Sequence, residues 1–69
     1  MQVNIDLLKL GFTLQYDFNL NSPYYKLDKG DVGHIFIDKP YNKLGIGCNP
    51  NHKDYQEFQE LIKEVEKVL

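Results

Sequence analysis

Apolar and polar residues alternate along the first half of the chain, between positions 12 and 20. A period of two is typical of a β-strand with one buried face and one face in solvent. Residues 19–23 contain asparagine, serine and proline, which favour a turn after this strand. The pattern therefore predicts a first strand whose buried face carries Phe12, Leu14, Tyr16, Phe18 and Leu20.

Three further strands are predicted at residues 24–28, 32–38 and 43–48. Gly30 lies between the first two of these strands, where it permits the positive φ that a hairpin turn requires. Residues 38–42 form a loop before the last strand. Because all the connections are short, we expect the strands to form an antiparallel meander.

A short helix is predicted before the sheet, within residues 4–12. Asn4 can accept a hydrogen bond from a free amide of the first turn. Gly11 can adopt the left-handed conformation after the last turn, which would bring Phe12 back onto Leu7. A helix this short is not stable alone, so packing must hold it.

The C-terminal segment is predicted to be a longer, amphipathic helix. Its start has two candidate caps: Asn49 with Pro50 at the first helical position, or Asn51 with Asp54 three residues later. Charged residues occupy the opposite face, which we interpret as ordinary solvation. The apolar residues recur at steps of three and four: Tyr55, Phe58, Leu61, Ile62, Val65, Val68 and Leu69.

The predicted order is helix, four strands, helix, in a single domain over residues 1–69. Both helices need an apolar surface to cover, and one face of the sheet supplies it. The predicted fold class is therefore α+β, with a four-stranded antiparallel meander sheet and both helices on one face. Since a chain of this length buries only about 60% of its unfolded surface, we also expect a partner protein or a homodimer.

Composition excludes several classes of protein. The net charge is −2, and all eight basic residues are lysines, so nucleic-acid binding is disfavoured. One cysteine cannot form an internal disulfide, which is typical of a reducing cytoplasm. The sequence has no apolar run of about 18 residues, so we expect a cytoplasmic protein that does not cross a membrane.

The sequence contains only weak candidates for a catalytic or metal-binding site. Cys48 and His52 are the best nucleophile and base pair, because the start of a helix could lower the pKa of the thiol. However, Cys48 continues the alternation of Leu44 and Ile46, which favours a buried structural thiol. His34, Cys48 and His52 match no metal-binding spacing. We therefore predict no catalytic residue, metal or cofactor.

Two glycines in the fourth strand leave its backbone bare. Gly45 and Gly47 lack the third glycine and the helical context of a dinucleotide-binding motif. Alternation places them with Lys43 on the face opposite Leu44, Ile46 and Cys48. A close approach by another group is expected along this strip.

The third strand suggests an exposed patch beside those glycines. If Ile35 and Ile37 are buried, Val32, His34 and Phe36 point to the opposite side, and Tyr24 joins them. In the alternative register, Phe36 belongs to the core. Tyr24, Tyr25 and Tyr41 also lie in or beside loops, where tyrosine provides contact area. The predicted binding residues are Tyr24, His34, Phe36, Tyr41, Lys43, Gly45 and Gly47.

Residues 7–12, with the sequence Leu-Leu-Lys-Leu-Gly-Phe, lead into a tyrosine-rich meander and a terminal helix in a chain without alanine or arginine. In these features it resembles small bacteriophage accessory proteins. The resemblance implies a non-catalytic inhibitor that binds a host or defence protein in the host cytoplasm. Steric occlusion through the outer sheet face would be its mechanism.

The element order and the N-terminal segment also resemble HicA-type mRNA-cleaving toxins. That resemblance implies RNA binding or cleavage, with the histidine of Gly33-His34 as the matching residue. The serine of the toxin motif and the basic surface are missing here. A small-molecule-binding or structural phage protein is a third alternative.

Overall fold

A computed structural model describes residues 4–19, 21–38 and 43–69. Leu20, at the end of the predicted first strand, and Tyr41, a predicted binding residue, lie outside the described residues. The elements in chain order are α1 (Ile5–Lys9), β1 (Thr13–Asp17), β2 (Ser22–Asp28), a 3₁₀ turn (Gly30–Val32), β3 (Gly33–Asp38), β4 (Lys43–Cys48) and α2 (Tyr55–Val68).

The four strands form one open antiparallel sheet in the order β1-β2-β3-β4, as predicted. Each strand pairs with its neighbour in sequence, because the connections are too short for a crossover. Both helices pack against one face of this sheet, which confirms the predicted α+β class. The buried core joins α1, the centre of the sheet and α2 through Leu7, Phe12, Tyr25, Leu27, Val32, Ile35, Ile37, Phe58, Ile62 and Val65.

The ends of α1 follow the sequence prediction. The Asn4 side chain accepts a hydrogen bond from the Leu7 N–H at 3.2 Å. Gly11 has a φ of +107°, and the Phe12 N–H donates to the Leu7 carbonyl at 3.1 Å. Leu7 is fully buried, so packing holds this five-residue helix in place.

Neither predicted cap starts α2. The helix begins at Tyr55 after Asp54, whose side chain makes no capping hydrogen bond. The Asn49 side chain instead accepts from the Asn51 N–H in the preceding turn, at 3.1 Å. The Asp54 N–H donates to His52 Nδ1 at 3.0 Å. Because the Asn49 side chain makes its hydrogen bond within this turn, it does not cap the helix, and α2 begins later, at Tyr55.

Val32 lies in the core and does not point to the outer face, so that prediction was wrong. The 3₁₀ turn at Gly30–Val32 breaks the alternation before β3 begins at Gly33. Gly30 has the predicted positive φ of +65°. Its N–H donates to the Asp28 carboxylate at 2.9 Å, which fixes the turn.

The predicted buried face of β1 extends too far. The strand ends at Asp17, and Phe18 is 86% exposed beyond it. Tyr16 is also exposed, and its hydroxyl donates to the Asn21 side chain. The core residues of the sheet lie in β2 and β3, so the far end of this edge hairpin is left in solvent.

Candidate binding face

The face of the sheet opposite the helices carries an aromatic cluster. We name Tyr24, His34 and Phe36 the outer-face cluster. The Tyr24 and Phe36 ring centroids are 6.2 Å apart, and those of His34 and Phe36 are 5.1 Å apart with an angle of 61° between the ring planes. Phe36 is 37% exposed. The strand register therefore follows the first of the two alternatives, in which Phe36 lies outside the core.

Both glycines of β4 lie beside this cluster. Gly45 pairs with Phe36 and Gly47 pairs with His34. A Cβ atom at position 47 would lie 2.5 Å from the His34 imidazole, so the histidine itself occupies the bare backbone there. At Gly45 the nearest atom to such a Cβ is 3.9 Å away. The glycine strip is thus filled by His34 at one position and open at the other.

Lys26 contributes a positive charge that the sequence reasoning missed. It pairs with Phe36 across β2 and β3, and its Nζ lies 5.9 Å from the centroid of the Phe36 ring. This distance is within the range of a cation–π interaction. Lys26 is two residues from Tyr24, so strand alternation alone could have placed it on this face.

A shallow cavity of about 380 Å³ opens at one end of the outer-face cluster. Its lining combines aromatic rings with oxygen atoms: Asp17, Ser22, Tyr24, Phe36 and Asp38. Asp38 Oδ1 is buried and has no hydrogen-bond partner among the residues that the structure describes. Such an oxygen is costly to leave unpaired, because it has lost its hydration. The cavity therefore offers negative charge and an aromatic wall to a group entering from solvent.

Three of those lining residues were missed from the sequence. The sequence pattern assigned Asp17 and Asp38 no binding role, and it placed Ser22 only within a turn. The register pairs Asp17 with Ser22 and Tyr24 with Asp38, which places all four on the outer face. The shared face of Ser22 and Tyr24 was readable from alternation within β2, but the strand pairing that brings Asp17 and Asp38 beside them was not.

Of the other residues singled out from the sequence, Lys43 shares the outer face and Tyr25 does not. Lys43 pairs with Asp38 at the end of β4 and is exposed on the outer face. Tyr25 is 1% exposed in the middle of β2, so its expected place in or beside a loop was wrong. It follows the parity of Leu27 instead, which points it into the core.

The nucleophile candidate does not assemble into a catalytic pair. Cys48 is exposed, so the expectation of a buried thiol was wrong. Because β4 is an edge strand, a side chain on its inner face is not necessarily covered by a helix. No hydrogen bond joins Cys48 to His52 in the described part of the chain. His52 Nδ1 accepts from the Asp54 N–H, which occupies that nitrogen in the turn before α2.

Comparisons with protein-family models, curated proteins and solved structures find no match to this chain. Within residues 4–19, 21–38 and 43–69, no three histidine, cysteine or acidic side chains gather as a metal site. Over the same residues, no helix has the length and apolar character needed to cross a bilayer.

Proposed function

We propose that this chain is a non-catalytic protein-binding module. The observation that supports the proposal is the outer-face cluster of Tyr24, His34 and Phe36, which neither helix covers. Aromatic rings on a sheet face provide large contact area with few rotatable bonds, and tyrosine is enriched among the residues that dominate binding energy. A partner protein that covers this face would bury the cluster.

The charges on this face favour a protein partner over nucleic acid. Lys26 lies against Phe36 and Lys43 pairs with Asp38, while Asp17 and Asp38 line the adjacent cavity. A phosphate backbone would meet these carboxylates without any arginine to balance them. A protein surface can instead place an apolar side chain on Phe36 and a cationic side chain near Asp38.

Inhibition by steric occlusion is the mode of action that we propose for this binding. A sheet face is a broad and rigid surface, because backbone hydrogen bonds fix its side-chain positions. Docking such a surface over a functional site of a host or defence protein would exclude its substrate. No group on the module needs to react.

Affinity capture from cell extract, followed by mass spectrometry, tests the proposal. The wild-type chain is compared with Phe36→Asp, which places a charge inside the outer-face cluster. Phe18→Asp is the matched control, because Phe18 is an exposed aromatic residue at the β1–β2 hairpin whose ring contacts Tyr16 and not the outer-face cluster. Denaturation curves establish that each variant is folded.

We expect a protein that binds the wild type and Phe18→Asp equally and loses binding to Phe36→Asp. Its activity should fall when the wild type is added and remain unchanged with Phe36→Asp. Proteins captured equally well by all three chains would contradict the proposal, as would a partner whose activity is unaffected by binding.

A further inference from the structure

The outer edge of β4 has no pairing strand among the described residues. The sheet order places β4 next to β3 on one side only. An edge strand exposes backbone N–H and C=O groups that can pair with another chain, and natural proteins usually protect such edges. The chemistry of this edge determines what can pair with it.

The backbone hydrogen bonds identify which residues face outward. The Asn49 N–H donates to the Val32 carbonyl at 2.9 Å, in continuation of the β3–β4 ladder. Hydrogen-bonded pairs alternate along an antiparallel ladder. Counting back by two, Gly47, Gly45 and Lys43 direct their backbone groups toward β3. The backbone groups that point outward therefore belong to Leu44, Ile46 and Cys48.

The same three residues carry the apolar side chains of β4, on the face that the helices cover. Ile46 pairs with the fully buried Ile35, yet Ile46 is 41% exposed. Cys48 is exposed and Leu44 is half-buried. The helices thus stop short of this edge. An apolar margin and a row of free backbone groups coincide there.

We propose that a second copy of this chain pairs with this edge, antiparallel, about a twofold axis that passes midway between the two copies of Ile46. The two sheets would join into one continuous eight-stranded sheet. An axis perpendicular to the sheet keeps the helices of both copies on the same side. It also requires paired residues to share a face, so one residue of the edge must lie opposite its own copy.

The register about Ile46 makes the edge complementary to itself. Ile46 meets Ile46 of the second copy, and Leu44 meets Cys48 of the second copy, so apolar side chains pair on the helix-covered face. The outward backbone groups belong to these three residues, so each pair is joined by two hydrogen bonds between backbone N–H and C=O groups. On the outer face, Gly45 meets Gly47, and no side chains collide.

Charge also permits this register. Lys43 faces Asn49 of the second copy, so no like charges lie opposite each other. A register centred on Gly45 would pair only Leu44 and Ile46 of the three outward-facing residues within the strand, because Cys48 would lie opposite position 42, before β4 begins at Lys43. Self-complementarity of this kind is what a twofold interface requires, which is why a second copy fits better than an unrelated strand.

Sedimentation equilibrium from micromolar to millimolar concentration tests the proposal. We expect the wild type to dimerise and Ile46→Lys to weaken the dimer by about tenfold or more, because it places a charge on the apolar margin. Ile5→Lys is the matched control, since Ile5 is 62% exposed on α1 and away from β4. It should dimerise like the wild type.

Cysteine crosslinking tests the register. In the proposed pairing, the two copies of residue 46 lie about 5.5 Å apart between Cα atoms, inside the roughly 4.4–6.8 Å range of a disulfide. Oxidised Ile46→Cys with Cys48→Ser should therefore crosslink into a dimer, and Gly45→Cys with Cys48→Ser should not. A wild type that stays monomeric, a dimer unaffected by Ile46→Lys, or crosslinking at position 45 alone would each overturn the proposal. None of these results depends on the outer-face cluster, so the proposed function is tested separately.

Discussion

The Tyr25 hydroxyl oxygen accepts a hydrogen bond from the Asn4 backbone N–H at 2.8 Å. Tyr25 lies in the middle of β2 with its ring in the core, and Asn4 is the cap of α1. One buried phenol therefore satisfies a free amide at the start of the helix. It also fixes the position of that helix on the sheet.

Removal of this hydroxyl should destabilise the fold. Tyr25→Phe keeps the ring but leaves the half-buried Asn4 N–H without its partner, so the free energy of unfolding should fall by about 1–2 kcal/mol. Urea denaturation followed by circular dichroism measures the change. Tyr24→Phe removes a hydroxyl from the outer face and should stay within about 0.5 kcal/mol of the wild type. Equal losses in both variants would contradict the role of the buried bond.

The two side-chain hydrogen bonds of Asn4 should each add to the stability of the fold. Its Oδ1 accepts from the Leu7 N–H, and its Nδ2 donates to the Val68 carbonyl at 3.3 Å. Asn4→Ala loses both bonds and should cost about 1–2 kcal/mol. Asn4→Asp keeps the oxygen that caps α1 and loses only the Nδ2 donor. Its free energy of unfolding should therefore lie between those of the wild type and Asn4→Ala. Chemical denaturation would show the order, and an Asn4→Asp variant no more stable than Asn4→Ala would count against it.

Two glycines on neighbouring strands should differ in how strongly an alanine substitution destabilises the fold. A Cβ at Gly33 would lie 2.3 Å from the Gly47 carbonyl oxygen and 2.8 Å from the Phe58 ring. Backbone cannot move aside easily, so Gly33→Ala should cost about 3 kcal/mol or more. Gly45→Ala meets nothing closer than 3.9 Å and should change stability by no more than about 1 kcal/mol. Thermal melting of both variants tests the contrast, and a mild effect at Gly33 would contradict it.

RNA cleavage is the alternative activity that His34 could carry, and we expect none. His34 lies against Phe36 and over Gly47, and the face around it carries carboxylates at its cavity. Purified protein incubated with single-stranded and hairpin RNA should leave both intact on a denaturing gel. Cleavage by the wild type that is lost in a folded His34→Ala variant would instead support the toxin alternative.

The meander and its faces could be predicted because they depend on local chemistry. Strand alternation placed Ile35 and Ile37 inside and His34 and Phe36 outside, as the register has them. Gly11 also took its predicted positive φ. These features require only the period of the pattern and the conformational freedom of glycine.

The exceptions depend on neighbours that the local pattern does not contain. Val32 alternates with His34 in sequence, but a 3₁₀ turn rotates it into the core. Ile46 and Cys48 face the helices yet stay exposed, because β4 lies beyond the area that the helices cover. The cavity at Asp38 needed the pairing of separate strands.

The bond from Asn4 to the Val68 carbonyl joins residues 64 apart in sequence. Every pair of neighbouring strands, by contrast, is also consecutive along the chain. The sheet can thus assemble one hairpin at a time, with little loop entropy lost at each step. Closing the two ends of the chain is the costly event. Among the described contacts, the meeting of the two helices therefore closes the longest loop of this small fold.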